Sequence, residues 1–373
     1  MKGSSVLLIG LAALMLAGCQ PKEPIRIGFA GGITGANASV ALSGRDAVLL
    51  AVEEVNRAGG IKGRPVELVI KDDQESPAVA AEVERAFLKE GVPAVIGHYV
   101  SGVAFSALEA IEGENLLMLS PTISTAQLSG LDDQFIRVIP TNEDQGRILG
   151  QYARKTAGNA TACVIYSVGN EVFVDGVKSA FRQHFESLGG QVLLEEAVPP
   201  KLPEAMAAAL ERGALAGVDA YLLVMNANDV VIFSQLRAKT GYAADVYSAT
   251  WGMTSDVLFQ GGSTVEGIVF PAPFDSSSRK PEYQVFSEKY QKFCGNSPDF
   301  SAVYSYEAAR VLFGAIEKAP EYTAEAVKRS LLNGGPYQGL QSELTFTDAG
   351  DIRRPLFLVK VNKGSFETIG AGE

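Results

Sequence analysis

Histidine and cysteine are almost missing from this chain. Its 373 residues include two histidines (His98, His184) and three cysteines (Cys19, Cys163, Cys294), with no CxxC pair. That argues against a structural zinc site or a disulfide-stapled small fold. Basic charge is also short: 32 Lys and Arg stand against 43 Asp and Glu, a net charge of −11. A chain this acidic repels polyanions, so nucleic acid is not an expected partner. No GxSxG, HExxH, Walker A or GxGxxG sequence occurs, and Gly31-Gly32-Ile33-Thr34-Gly35 does not fit a dinucleotide fingerprint. His98 has no paired base or nucleophile in view and reads as a buttress of its loop. No catalysis, metal or cofactor is expected. With 47% apolar residues and no apolar span beyond the N-terminal one, the rest reads as a soluble globular protein, long enough for two lobes.

The N-terminal run is short. Lys2 precedes the apolar Val6 to Leu16, fewer than the roughly 20 residues that span a bilayer, so 1–18 read as a signal peptide. Leu16-Ala17-Gly18-Cys19 resembles the lipobox of bacterial lipoproteins, which implies cleavage before Cys19 and its lipidation. Acyl chains anchor by burying methylenes at about 0.8 kcal/mol each. Residues 19–24 then form the lipidated cysteine and a polar tether, and the expected location is the cell envelope or periplasm, tied to a membrane through Cys19. Removing residues 1–18 takes away Lys2 and moves the net charge from −11 to −12.

What is abundant is alternation. Ile25 to Ala30 is a short apolar strand running into a Gly/Thr/Asn/Ser loop. An amphipathic helix follows, then Gly59-Gly60, then a second strand from Pro65 to Ile70 that ends in Asp72-Asp73. This is a β-loop-α-β unit, with its polar loop at the carboxyl end of the first strand, where open α/β sheets bind ligands. Further strands are expected at 94–97, 116–119 and 135–139. The layout then restarts with a strand at 161–166, a polar loop from Gly169 to Gly176 and a helix from Val177 to Leu188, followed by strands at 192–195 and 220–225. Strands and helices at this spacing predict a parallel, doubly wound sheet, and meeting the layout twice predicts two similar lobes.

The Ile25–Asp73 block, the alternation through residue 370 and the loops His98-Tyr99-Val100-Ser101 and Ser120-Pro121-Thr122-Ile123-Ser124 closely resemble the leucine/isoleucine/valine-binding protein family, the type I periplasmic binding proteins of ABC importers. The resemblance implies an α/β protein of two doubly wound parallel-sheet lobes joined by a three-strand hinge. Lobe 1 would comprise 25–142 plus 273–347, and lobe 2 would comprise 143–272 plus 348–370. It also implies a monomer that binds an amino acid or related small acid or amide and hands it to ABC permease and ATPase subunits. An extracytoplasmic amide or amino-acid sensor acting through a partner protein is the alternative. Cys163 and Cys294 fall in different lobes, so two buried thiols are expected rather than a disulfide.

By the same resemblance the ligand contacts are Ser101, Thr122, Ile123, Ser124, Asn142, Phe173, Asn226, Thr250 and Trp251. Ser101 lies just before a helix, where free amides and the dipole favour an anion, although residues alone read it equally as an N-cap and Ser120-Pro121-Thr122 as a turn. Trp251, the only tryptophan, reads as an apolar wall or as core. Four positions depart from the amino-acid-binding members. Val40 and Asn226 stand where those carry aromatics, Asn142 replaces an aspartate, and Phe173 stands in a tyrosine's loop. No carboxylate is apparent near Thr250, so Glu171, Asp144, Asp175 and Asp229 are the substitutes to consider for an ammonium group. A buried, unpaired ammonium costs several kcal/mol, against about 8 kcal/mol for a micromolar complex.

Overall fold

The protein is described by a computed structural model that covers residues 22–35 and 37–371. The signal peptide, the lipobox and Cys19 lie outside the described residues. No described helix is long and apolar enough to cross a membrane.

Two open sheets form the frame. The first contains β1 (Ile25–Gly31), β2 (Val66–Asp72), β3 (Ala94–Ile96), β4 (Leu117–Ser120) and β5 (Phe135–Arg137), all parallel, in the order β2-β1-β3-β4-β5. The second contains β6 (Thr161–Ser167), β7 (Gln191–Val198), β8 (Ala220–Val224), β9 (Asp245–Ser248) and β10 (Val269–Ala272) in the order β7-β6-β8-β9-β10, again parallel. The same winding therefore occurs twice. Three short strands, β11 (Tyr337–Gln338), β12 (Glu343–Phe346) and β13 (Ile352–Arg353), form a separate antiparallel sheet. An antiparallel hairpin, β14 (Phe357–Asn362) and β15 (Ser365–Ala371), extends the second sheet from β10.

The central strands are continuous apolar runs because helices cover both faces. Every residue of β3, β4 and β8 is buried. The helix Ala38–Arg57 buries Val40, Ala41, Gly44, Ala47, Val48 and Ala51, a 3.6-period stripe. A Cβ on Gly44 would lie 2.4 Å from the Tyr99 ring and 2.6 Å from Ser305 Oγ, so glycine there lets the helix approach Phe300–Lys318. After that helix Gly60, at φ +77°, turns the chain back into β2.

Several boundaries differ from those expected. The polar loop from Gly169 to Gly176 is mostly helix, because Glu171–Ser187 begins right after Asn170. Phe173 thus sits on the first helical turn rather than in a loop. Cys163 is buried and Cys294 half-buried, and both are free thiols.

The chain passes between the two large sheets three times, at 138–141, 273–280 and 354–356. One buried cluster holds all three passages. Arg354 Nη1 donates to Glu307 Oε2 at 2.7 Å and to the Val138 carbonyl at 3.2 Å. Glu307 Oε1 accepts from the Leu340 amide at 2.7 Å, and Tyr304 donates to the Pro273 carbonyl at 2.9 Å. The guanidinium of Arg354 lies 4.3 Å from the centre of the Tyr304 ring, a cation–π contact.

Candidate ligand-binding site

In each sheet the strand order reverses beside the first strand, between β1 and β3 and again between β6 and β8. Crevices open at such switch points, past the carboxyl ends of the strands. The loops after β1, β3, β4, β6 and β9 meet there around a small cavity of about 30 Å³.

Hydrogen bonds fix the first wall. Ser120 Oγ donates to the His98 carbonyl and Thr122 Oγ1 to the Tyr99 carbonyl, each at 2.8 Å, so the loops after β3 and β4 are tied together. Arg137, fully buried, donates from Nη1 to the Thr125 carbonyl at 2.7 Å and from Nε to Asp351 Oδ1 at 2.8 Å, which backs the β4 loop. His98 is wholly buried between two carboxylates, with Nδ1 2.5 Å from Asp73 Oδ2 and Nε2 2.9 Å from Glu84 Oε1. Burial alone would lower its pKa, but the hydrogen bonds and charges of Asp73 and Glu84 outweigh that and raise it to about 9. It is an imidazolium that buttresses the loop leading to Ser101.

The opposite wall is aromatic. Phe173 and Trp251 meet edge-on with ring centres 5.7 Å apart. Trp251 Nε1 donates to Asn37 Oδ1 at 2.8 Å, linking the segment after β9 to the one after β1. A Cβ on Gly102 would lie 3.4 Å from Asn170 Oδ1, so the segments after β3 and β6 also nearly touch. The two walls are closed on each other.

Of the nine residues expected at the ligand, Ser101, Thr122, Ser124, Phe173, Thr250 and Trp251 line the cavity. The hydroxyls of Thr122 and Thr250 are already committed, the first to Tyr99 and the second to the Pro271 carbonyl at 2.7 Å. Those two shape the wall and offer no free hydroxyl. The other three are corrections. Ile123 points into the core beneath the first sheet and is fully buried. Asn142 bridges three backbones, accepting from the Ala126 amide at 3.1 Å and donating to the Phe173 carbonyl at 2.8 Å and that of Val172 at 3.3 Å. Asn226 caps the helix Ala227–Thr240, accepting from the Asp229 amide at 3.1 Å and donating to Asp229 Oδ2 at 3.0 Å. No residue of the β8 loop reaches the cavity.

Asn37, Tyr99, Gln145, Asn170 and Phe300 line the cavity without having been singled out. Asn170 had a signal, since it is the last residue before the helix Glu171–Ser187 and its amide stays off the helix amides. Gln145 accepts from the Thr250 amide at 3.1 Å, a pairing across 105 residues that no local pattern reveals. Two buried polar atoms at the cavity have no hydrogen-bond partner, Ser124 Oγ and Asn170 Oδ1. Buried polar groups are seldom left so, and both residues line the cavity.

Two similarly wound lobes, enclosing a small cavity between loops at their switch points, define a solute-binding protein of the hinge-closing class. The comparisons agree. The sequence matches the family described as "Periplasmic binding protein" over residues 24–365, and the chain belongs to that family. It is 26% identical over 366 residues to Leu/Ile/Val-binding protein homolog 1 of Brucella abortus (strain 2308), covering 96% of this chain and 95% of that one. The leucine binding protein LivK of Thermotoga maritima MSB8 superposes with a TM-score of 0.86 at 22% identity, over 94% of this chain and 99% of that one. A solute binding protein of an ABC transporter from R. palustris, solved with benzoate, gives 0.83 at 18% identity, over 94% and 96%. Family and structural neighbours are solute-binding proteins and not enzymes, and membership implies a periplasmic location.

Proposed function

We propose that this protein captures a branched-chain amino acid, or a related small carboxylate or amide, by closing its two lobes and then delivers it to an ABC permease with its ATPases. It does so from the membrane surface, anchored through a lipidated Cys19. The closing bodies are residues 25–142 with 273–347 and residues 143–272 with 348–370. The observation that carries this reading is the pair of unpartnered buried polar atoms, Ser124 Oγ and Asn170 Oδ1, on residues that line one cavity from the two sides of the cleft. The names of the Brucella and Thermotoga relatives and the benzoate in the R. palustris structure support the ligand class. A solute enters the open cleft and meets Ser101 and Ser124, and Phe173 and Trp251 close over it. No covalent step is needed, because the work is a shift of population towards the closed form, driven by the closed form's better contacts.

Ser124→Ala tests the reading. Losing a buried hydrogen bond to the solute weakens binding by about 1–3 kcal/mol. The melting temperature of the ligand-free protein stays almost unchanged, since the hydroxyl has no partner within the protein. Titration calorimetry reads the first effect and differential scanning the second. Equal affinity in the variant takes Ser124 out of the site.

A further inference from the structure

Among the described residues, no charged side chain of either sign lines the cavity; the lining residues are apolar, aromatic, or neutral hydroxyls and amides. The carboxylates carried by the surrounding segments are engaged elsewhere. Glu171 is exposed and accepts from the Gly169 amide at 2.8 Å. Asp175 is exposed and pairs with Lys178 at 3.2 Å. Asp144 accepts from the Thr141 hydroxyl at 2.9 Å and lies 3.5 Å from Arg147. Asp229 is buried but closed in by Ser167, Asn226 and the Lys201 amide. Glu75 takes the Asn37 backbone and side-chain amides at 2.6 and 2.9 Å. None of the five lines the cavity.

Resting on the solute-binding reading above, we infer that the solute carries one carbonyl head group, a carboxamide or a carboxylate, on an apolar body, and no ammonium group. Either head accepts from the Ser124 hydroxyl. A carboxamide N–H also satisfies Asn170 Oδ1, and with the Asn170 amide turned over its Nδ2 donates to a carboxylate instead. Phe173 and Trp251 cover the apolar body. An ammonium in the same place would leave water with no counter-ion, meeting only neutral acceptors and ring faces.

Calorimetric titration of the purified protein with matched molecules separates the cases. One set shares an isobutyl body (L-leucine, 4-methylpentanoate, 4-methylpentanamide), and the other shares a phenyl body (L-phenylalanine, 3-phenylpropanoate, 3-phenylpropanamide). The expected result is that an amine-free member binds at least tenfold tighter than its amino acid, and the acid-to-amide ratio then shows which head the site takes. Tighter binding of the amino acid overturns the inference and leaves the solute-binding function standing. If none of the six binds, a thermal-shift panel of small solutes decides. Stabilisation confined to amine-free acids or amides supports the inference, and stabilisation by ammonium-bearing solutes overturns it. No stabilisation by any solute removes the underlying function as well. Asn170→Asp supplies the missing carboxylate at a position where aspartate also caps a helix. In that variant the affinity for the amino acid rises, and that for the amine-free acid falls, by tenfold or more. An unchanged ratio overturns the placement of the head group beside Asn170.

Discussion

The cleft and the hinge are both buried and both polar, but they use their polar groups in opposite ways. At the hinge Glu307 spends one oxygen on Arg354 and the other on the Leu340 amide, while Tyr304 holds Pro273 and stacks under Arg354. Among the fully buried side-chain atoms of that cluster, Arg354 Nε alone lacks a partner. At the cleft, Ser124 and Asn170 have no partner at all for the atoms they present. A partnered group fixes backbone to backbone, so the hinge keeps three passages in register while the lobes move. An unpartnered group carries a desolvation cost that only a solute relieves, so the cleft gains most when it is filled. Stability and binding are thus lodged in different residues.

The largest expected effect lies at the hinge. Glu307→Ala leaves Arg354 buried without its counter-ion, and breaking a buried pair in this way costs about 3–5 kcal/mol. Denaturant unfolding of the ligand-free protein measures it, and a loss below about 1 kcal/mol would show that the three passages do not depend on this cluster. Next comes His98. Its folded-state pKa of about 9 lies above the ordinary 6.5, so the interaction with Asp73 and Glu84 is fully present below pH 6.5 and fades as pH rises through 9. Linkage puts that loss at up to about 3 kcal/mol. Unfolding free energy should decline across this window in the parent and stay level in His98→Gln, and parallel slopes would deny His98 its charge. The smallest effect is expected at Asn226. Asn226→Ala removes a helix cap worth about 1 kcal/mol and leaves solute affinity as it was. A loss of affinity instead would return Asn226 to the cleft and blur the division between the two regions.

The frame of the molecule was legible from sequence because its signals are local. Ile25 to Asp73 shows strand, polar loop, helix and strand within fifty residues, and the same order recurs after Thr161. The cleft was legible only where a loop follows a strand directly, as at Ser101, Ser124 and Trp251. It was misread where a residue's partner is distant or its neighbour misleading. Gly176 reads as the end of a loop, yet it lies inside the helix Glu171–Ser187, where a Cβ would come within 2.1 Å of Asn142 Nδ2. Glycine admits that amide, and the same approach draws Asn142 away from the solute. The hinge cluster was invisible, since Glu307 and Arg354 stand 47 residues apart and neither belongs to a motif.

Trp251 is the only tryptophan in the chain, and it sits at the seam between the lobes with its indole nitrogen bonded to Asn37 on the far side. If the lobes part as proposed, that bond is exchanged for one to water while the ring keeps its contact with Phe173, which belongs to the same lobe. Light absorbed beyond the tyrosine band is therefore emitted from a single place, where polarity changes with the width of the cleft. Opening and closing have a colour of their own in this protein, readable without a label.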